Sequence, residues 1–139
     1  MVTHTTTASG SAKTAVSPGG NGPGTAKAER ITMVQALNRA FAEEMERDPT
    51  IVILGEDVGV DGGVFRVTQG LQAKFGGDRV IDTPLAESAI AGTAVGLAIG
   101  GMRPVAEVQF SGFMNFAYEQ LQPHASRFRQ RTCAERDMR

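Results

Sequence analysis

Val80–Phe110, VIDTPLAESAIAGTAVGLAIGGMRPVAEVQF, decides the fold. Val80 and Ile81 close an apolar strand, and Asp82-Thr83-Pro84 breaks it, because Pro84 fixes its own φ and pushes Thr83 away from helical angles. From about Ala86 to Gly100 the residues are Ala, Gly, Ser and Thr with Ile90, Val95, Leu97 and Ile99 among them, and they read as a helix. Gly92, Gly96 and Gly100 recur at four-residue spacing and so share one helical face. Each glycine costs up to about 1 kcal/mol of helix propensity relative to alanine. A helix that accepts this repeatedly is expected to let another backbone, or a flat ligand, come close. The run is too short and too rich in Gly and Ser to span a bilayer, so it reads as a buried helix of a soluble protein. Arg103-Pro104 then turns the chain into a second strand, Val105–Phe110. Strand–helix–strand alternation predicts an α/β fold, a parallel sheet flanked by helices.

Glu87 is the one ionisable side chain between the Thr83-Pro84 turn and the small-residue helix. Two readings stand side by side. An acidic residue near a helix N-terminus interacts favourably with the helix dipole. Alternatively, a carboxylate lowered into a Gly/Ala-lined site becomes a proton donor or acceptor near neutral pH, because desolvation disfavours its charged form.

Upstream, a first helix is expected from Thr32 to about Arg47. Thr32 and Gln35 form a capping box, and Ile31, Val34, Leu37, Phe41 and Met45 recur at helical spacing. Asp48-Pro49 stops it. Ile51–Leu54 is a fully apolar strand of the kind buried inside a parallel sheet. Gly55-Glu56-Asp57 leaves its carboxyl end, where ligands gather in open α/β sheets, so Glu56 and Asp57 are candidate functional residues. Two adjacent carboxylates also raise a magnesium site, but loop solvation and capping are the commoner explanation. Val58–Val64 reads as a mobile Gly-rich loop. Phe65–Phe75 reads as a short helix with Val67, Leu71 and Phe75 on one face, ended by Gly76-Gly77-Asp78.

Downstream, Ser111 to about Arg131 reads as a last helix. Phe113 there is either core or a ring able to stack on a flat heterocycle. Pro123 sits where this helix should be continuous, and an interior proline costs about 3 kcal/mol. His124 has no second ligand at metal spacing, and Cys133 has neither a CxxC partner nor a neighbouring His, so no metal site is expected. The 139 residues carry 14 basic and 15 acidic side chains, a net charge of −1, which points to no polyanion or membrane partner. One cysteine suits a reducing compartment. Residues 1–28 are Thr, Ser, Ala, Gly and Pro with two lysines and no acidic residue, and read as a disordered extension. That tail is hydroxyl-rich and acid-poor like a transit peptide but has no Arg before Arg30, so a bacterial cytoplasm is expected ahead of a mitochondrial matrix.

The strings ITMVQALNRAFAEEMERDP from Ile31, IVILGEDVGVDGGVFRVTQGLQAKFG and DTPLAESAIAGTAVGLAIGGMRPVAEVQF, in that order and on to about Thr132, resemble the β subunit of the thiamine-diphosphate-dependent 2-oxo acid dehydrogenases. The resemblance implies a transketolase-like pyrimidine-binding domain, with residues 29–139 its N-terminal part and the C-terminal domain of such subunits absent. It implies thiamine diphosphate at an α/β subunit interface, with Mg²⁺ held by the α subunit, in a heterotetramer of two α and two β subunits. By position, Glu87 matches the glutamate that hydrogen-bonds the pyrimidine ring nitrogen, Phe113 matches an aromatic lying against the aminopyrimidine, and Glu56 falls on the cofactor side. The implied reaction is oxidative decarboxylation of pyruvate or a branched-chain 2-oxo acid, the acyl group passing to a lipoyl acyltransferase component. AEVQF with Phe113 leans to the branched-chain type, and this chain by itself is expected to be inactive. Pro123 and Gln122 depart from the family pattern. Two other readings remain: a transketolase or deoxyxylulose-phosphate-synthase type domain, and a non-catalytic assembly module that binds an α-type partner.

Overall fold

The computed structural model describes residues 29–133 and 138; the extension expected over residues 1–28 lies outside them. The folded unit is Ile31–Arg139. Its first helix, α1 (Met33–Arg47), opens with the capping box read from the sequence: Gln35 N donates to Thr32 Oγ1 at 3.2 Å and Thr32 N donates to Gln35 Oε1 at 2.9 Å. Only the C-terminal half of its apolar stripe is covered. Met45 is buried and Phe41 packs on the core, whereas Ile31 and Leu37 stay exposed.

Asp48 caps α1 and ties three elements together. Its Oδ1 accepts from Thr50 N at 2.8 Å and Thr50 Oγ1 at 2.6 Å, and its Oδ2 accepts from Arg103 Nη1 at 3.0 Å. The Thr50 hydroxyl, then the Thr50 amide and the Arg103 guanidinium, hold its carboxyl down at about 2. A carboxylate whose folded value lies below its ordinary 3.8 contributes stability that is present above that value and is lost as pH falls through about 2. Asp48→Asn is expected to remove this acid-side loss. Acid titration followed by circular dichroism checks it, and an unchanged acid limb in the variant would refute it.

Strand β1 (Ile51–Glu56) is central. It runs parallel to β2 (Val80–Thr83) on one side and to β3 (Arg103–Ala106) on the other, in the order β2-β1-β3. Residues Val52 to Gly55 are buried, as an apolar strand covered on both faces must be. β3 starts two residues earlier than expected and ends four earlier. The reason is its partner: Arg103 N donates to Thr50 O, and the last ladder bond runs from Glu107 N to Leu54 O. Pro104 sits within β3, which is tolerated because an edge strand leaves one row of N–H groups unpaired.

Helix α2 is shorter than expected, Leu71–Phe75. The residues before it form turns with Arg66 and Gly70 at positive φ. Their carbonyls are taken by a distant side chain, Asn38 Nδ2 donating to Val67 O at 2.8 Å and Gln69 O at 3.1 Å. The Gly-rich loop, expected to be mobile, is pinned. Gly59 N donates to Asp82 Oδ1 at 2.5 Å, Gly63 N to Asp57 O at 2.7 Å, and the buried Thr68 Oγ1 to Val58 O at 2.7 Å. Val58 packs with Met45, Ile53, Leu71 and Val80 in one core on the α1/α2 side of the sheet.

Arg79, just before β2, staples that side. Its Nε and Nη2 donate to Ile51 O at 2.9 and 2.7 Å, Nη2 also to Asp48 O at 2.9 Å, and Nη1 to Met45 O at 3.1 Å. The guanidinium carbon lies 5.5 Å from the Phe75 ring centre.

On the other side lies the small-residue helix α3 (Glu87–Ile99), within one residue of the expected limits. Ile90, Ala91 and Ala98 are buried, but Gly96 and Ile99 are exposed, so the helix is half covered rather than buried throughout. Gly92 does what its type suggested: a Cβ there would lie 3.4 Å from Gln120 Oε1. Gly96 faces open space. The segment expected as one helix over Ser111–Arg131 is broken into a 3₁₀ turn (Ser111–Phe113), α4 (Met114–Gln120), a π turn (Leu121–Ala125) and α5 (Phe128–Arg131). Pro123 lies inside the π turn, closed by Ser126 N donating to Leu121 O at 2.9 Å. The widened turn accommodates a ring that would clash in a continuous α-helix.

Candidate active site

The C-terminal edge of the sheet collects the residues singled out in the sequence. β1 ends at Glu56 and β2 at Thr83, and these two are register partners. Side chains alternate along a strand, so Val52, Leu54 and Glu56 share one face, and Thr83 shares it with Glu56. Ala106 is the partner of Leu54 and lines a cavity with Ala91 and Ala94 of α3, which identifies this as the α3 face. Glu87, half-buried, is the first residue of that helix, and its cap, Ala86, offers no side-chain hydrogen bond. Glu56, Thr83 and Glu87 therefore belong to one side of the sheet, at the end where the chain leaves the strands.

Phe113 reaches the same region through a hydrogen bond. Ser88 Oγ donates to Phe116 O at 2.6 Å, joining the first turn of α3 to the first turn of α4. Glu87 and Phe113 flank that junction in sequence. The Phe113 ring stays 37% exposed and so is not a core side chain. It meets Phe110 edge to face at 5.7 Å between centres, and Phe110 meets Phe65 in the same manner at 5.8 Å. The three rings form a half-exposed aromatic row contributed by the loops after β1 and β3.

Four of these features escaped the sequence reading. Thr83 Oγ1 is enclosed without a hydrogen-bond partner. Gln109 Nε2 donates to Glu56 O at 3.3 Å, binding the exit of β3 to the end of β1. Phe110 was readable only as a strand residue, although its three-residue spacing from Phe113 hinted at a pair. Phe65, distant in sequence, gave no signal. Among the described residues, no group of three or more His, Cys, Asp or Glu is arranged to hold a metal ion, and no helix is long and apolar enough to cross a membrane. His124 lines a groove over Gly92 and Gly96, away from these residues, and Cys133 is exposed.

Two carboxylates, an unsatisfied hydroxyl and a part-exposed ring thus lie toward the C-terminal end of a parallel sheet flanked by helices, an α/β domain. The chain belongs to the transketolase pyrimidine-binding domain family, which it matches over residues 29–134. It is similar to the pyruvate dehydrogenase E1 component subunit beta of Acholeplasma laidlawii, 56% identical over 102 residues, covering 73% of this chain and 31% of that protein. It is 54% identical over 110 residues to the 3-methyl-2-oxobutanoate dehydrogenase subunit beta of Mycobacterium tuberculosis, covering 79% and 32%. A pyruvate dehydrogenase subunit beta of Staphylococcus aureus is 55% identical over 103 residues, covering 74% and 32%. The chain spans about a third of the length of these curated relatives.

Proposed function

We propose that this chain is the pyrimidine-holding part of the β subunit of a thiamine-diphosphate-dependent 2-oxo acid dehydrogenase, the component that decarboxylates pyruvate or a branched-chain 2-oxo acid. The observation that carries this reading is the 54–56% identity to β subunits named for those two activities. The two identities are too close to rank the substrates; Phe113 and the AEVQF string incline the reading to the branched-chain type. Thiamine diphosphate supplies the electron sink for decarboxylation when bound.

The residues present fit its aminopyrimidine. Glu87 is the acidic group at the first turn of α3 and would hold or release a proton at a pyrimidine ring nitrogen. Thr83 Oγ1, enclosed and unpartnered, and Glu56 on the same strand pair offer further polar contacts. Phe113 offers a ring face. An α-type partner would hold the diphosphate through Mg²⁺, a lipoyl acyltransferase would take the acyl group, and the setting would be the bacterial cytoplasm.

The test is release of CO₂ from pyruvate and from 3-methyl-2-oxobutanoate by this chain mixed with an α-type partner, with and without thiamine diphosphate. Cofactor-dependent release is expected, favouring the branched substrate. No release, together with no complex by sedimentation, would overturn the assignment for this chain.

A further inference from the structure

Glu107 is a half-buried carboxylate on the opposite face of the sheet from Glu87, and the proposed reaction gives it nothing to do. It follows β3 directly, with its N–H on Leu54 O at 2.9 Å. Gly55 makes room for it, since a Cβ there would lie 2.9 Å from Glu107 Cβ. Its two carboxylate oxygens each lie 3.5 Å from the place a Cβ on Gly63 would occupy, so the carboxyl sits directly beneath the Gly-rich loop. Oε2 is enclosed and has no hydrogen-bond partner. Three residues further on, Phe110 of the same segment carries the Phe65 ring of the same loop. The stretch leaving β3 thus meets the loop at two points, a carboxyl under Gly63 and a ring against Phe65.

We propose that Glu107 is a positioning residue, a latch that seats the 57–68 loop on the sheet and so delivers Phe65 to the aromatic row beside Phe113. The latch depends on the proton the carboxyl carries. Burial pushes this carboxyl above its ordinary value. Charged groups on the surrounding elements are otherwise engaged. Asp82 of β2 accepts from Gly59, Arg66 of the loop donates to Asp61 O, and Lys74 of α2 pairs with Glu46 of α1. Glu56 lies on the other face of β1, and Asp57 is exposed at the start of the loop. A group that binds its proton more tightly when folded loses stabilisation as pH rises above its unfolded value and through its folded one. The loop is therefore better seated while the carboxyl keeps its proton and loosens as the pH climbs through its titration.

Hydrogen exchange of the whole protein, read on peptides covering residues 58–68 and corrected for the intrinsic pH dependence of exchange, tests this without cofactor or partner. Its outcome is thus separate from that of the decarboxylation assay. The native loop is expected to lose protection as the pH is raised from the acid side while peptides from α3 do not. Glu107→Gln, which keeps the shape of the neutral acid, is expected to hold acid-side protection at every pH, and Glu107→Ala to lose it at every pH. A Glu107→Gln variant that titrates like the native protein, or a Glu107→Ala variant with native protection, would overturn the proposal.

Discussion

Glu87→Gln is expected to lower thiamine-diphosphate-dependent decarboxylation by about 10²–10⁴-fold, the usual contribution of a positioned acid or base. Glutamine has nearly the size of glutamate and keeps a hydrogen-bonding end, but it cannot take up or release a proton. If Glu87 exchanges a proton with the pyrimidine, the variant still folds and still binds cofactor, and turnover collapses. If Glu87 only complements the dipole of α3, the substitution removes about 0.3–1 kcal/mol of stability and leaves turnover near native. Activity in the reconstituted complex, cofactor affinity by calorimetry and a urea melt together separate the two roles. Native turnover in Glu87→Gln would remove this residue from the chemistry.

The second large effect is structural. Arg79→Ala is expected to destabilise the fold by about 2 kcal/mol, the low end for leaving two backbone acceptors unsatisfied at about 1–3 kcal/mol each. Those acceptors are the carbonyls of Met45 and Ile51, at the end of α1 and the start of β1, while the Asp48 carbonyl keeps the Ile51 N–H at 3.3 Å. The low end applies because the site is part-buried and water can reach some of it. Arg79→Lys is expected to recover only part of the loss, since one ammonium cannot reproduce the fixed fork of a guanidinium over three carbonyls. Urea denaturation of the three proteins measures this, and a full rescue by lysine would show that charge, not geometry, is what counts.

Much of the fold and part of the site were legible because their signals are local. The capping box at Thr32, the Asp48-Pro49 stop, the apolar run of β1 and the limits of α3 each rest on residues within four positions of one another. Glu87 stood out for the same reason, as a lone charge among alanines and glycines beside a proline turn. The π turn was half legible: Pro123 announced a break but not its form. Where Phe65–Phe75 looked helical, the pattern was real over Leu71–Phe75 and failed before it, since Asn38, far back in α1, took the carbonyls that a helix would have used.

The sequence by itself determined the order of strand and helix, the parallel sheet and the placing of Glu87 at a helix start, because these follow from short-range sterics, capping and periodicity; the family was legible as a resemblance of whole strings to known β subunits. Only the tertiary structure decided where β3 begins and which carbonyls Arg79 gathers. It alone also showed that Thr83 Oγ1 is enclosed, that Phe65 joins Phe110 and Phe113, and that Glu107 lies beneath Gly63. Each of these depends on groups brought together from elements distant in the chain, and hydrogen-bond satisfaction and burial are properties of that assembly, with no trace in the spacing of neighbouring residues.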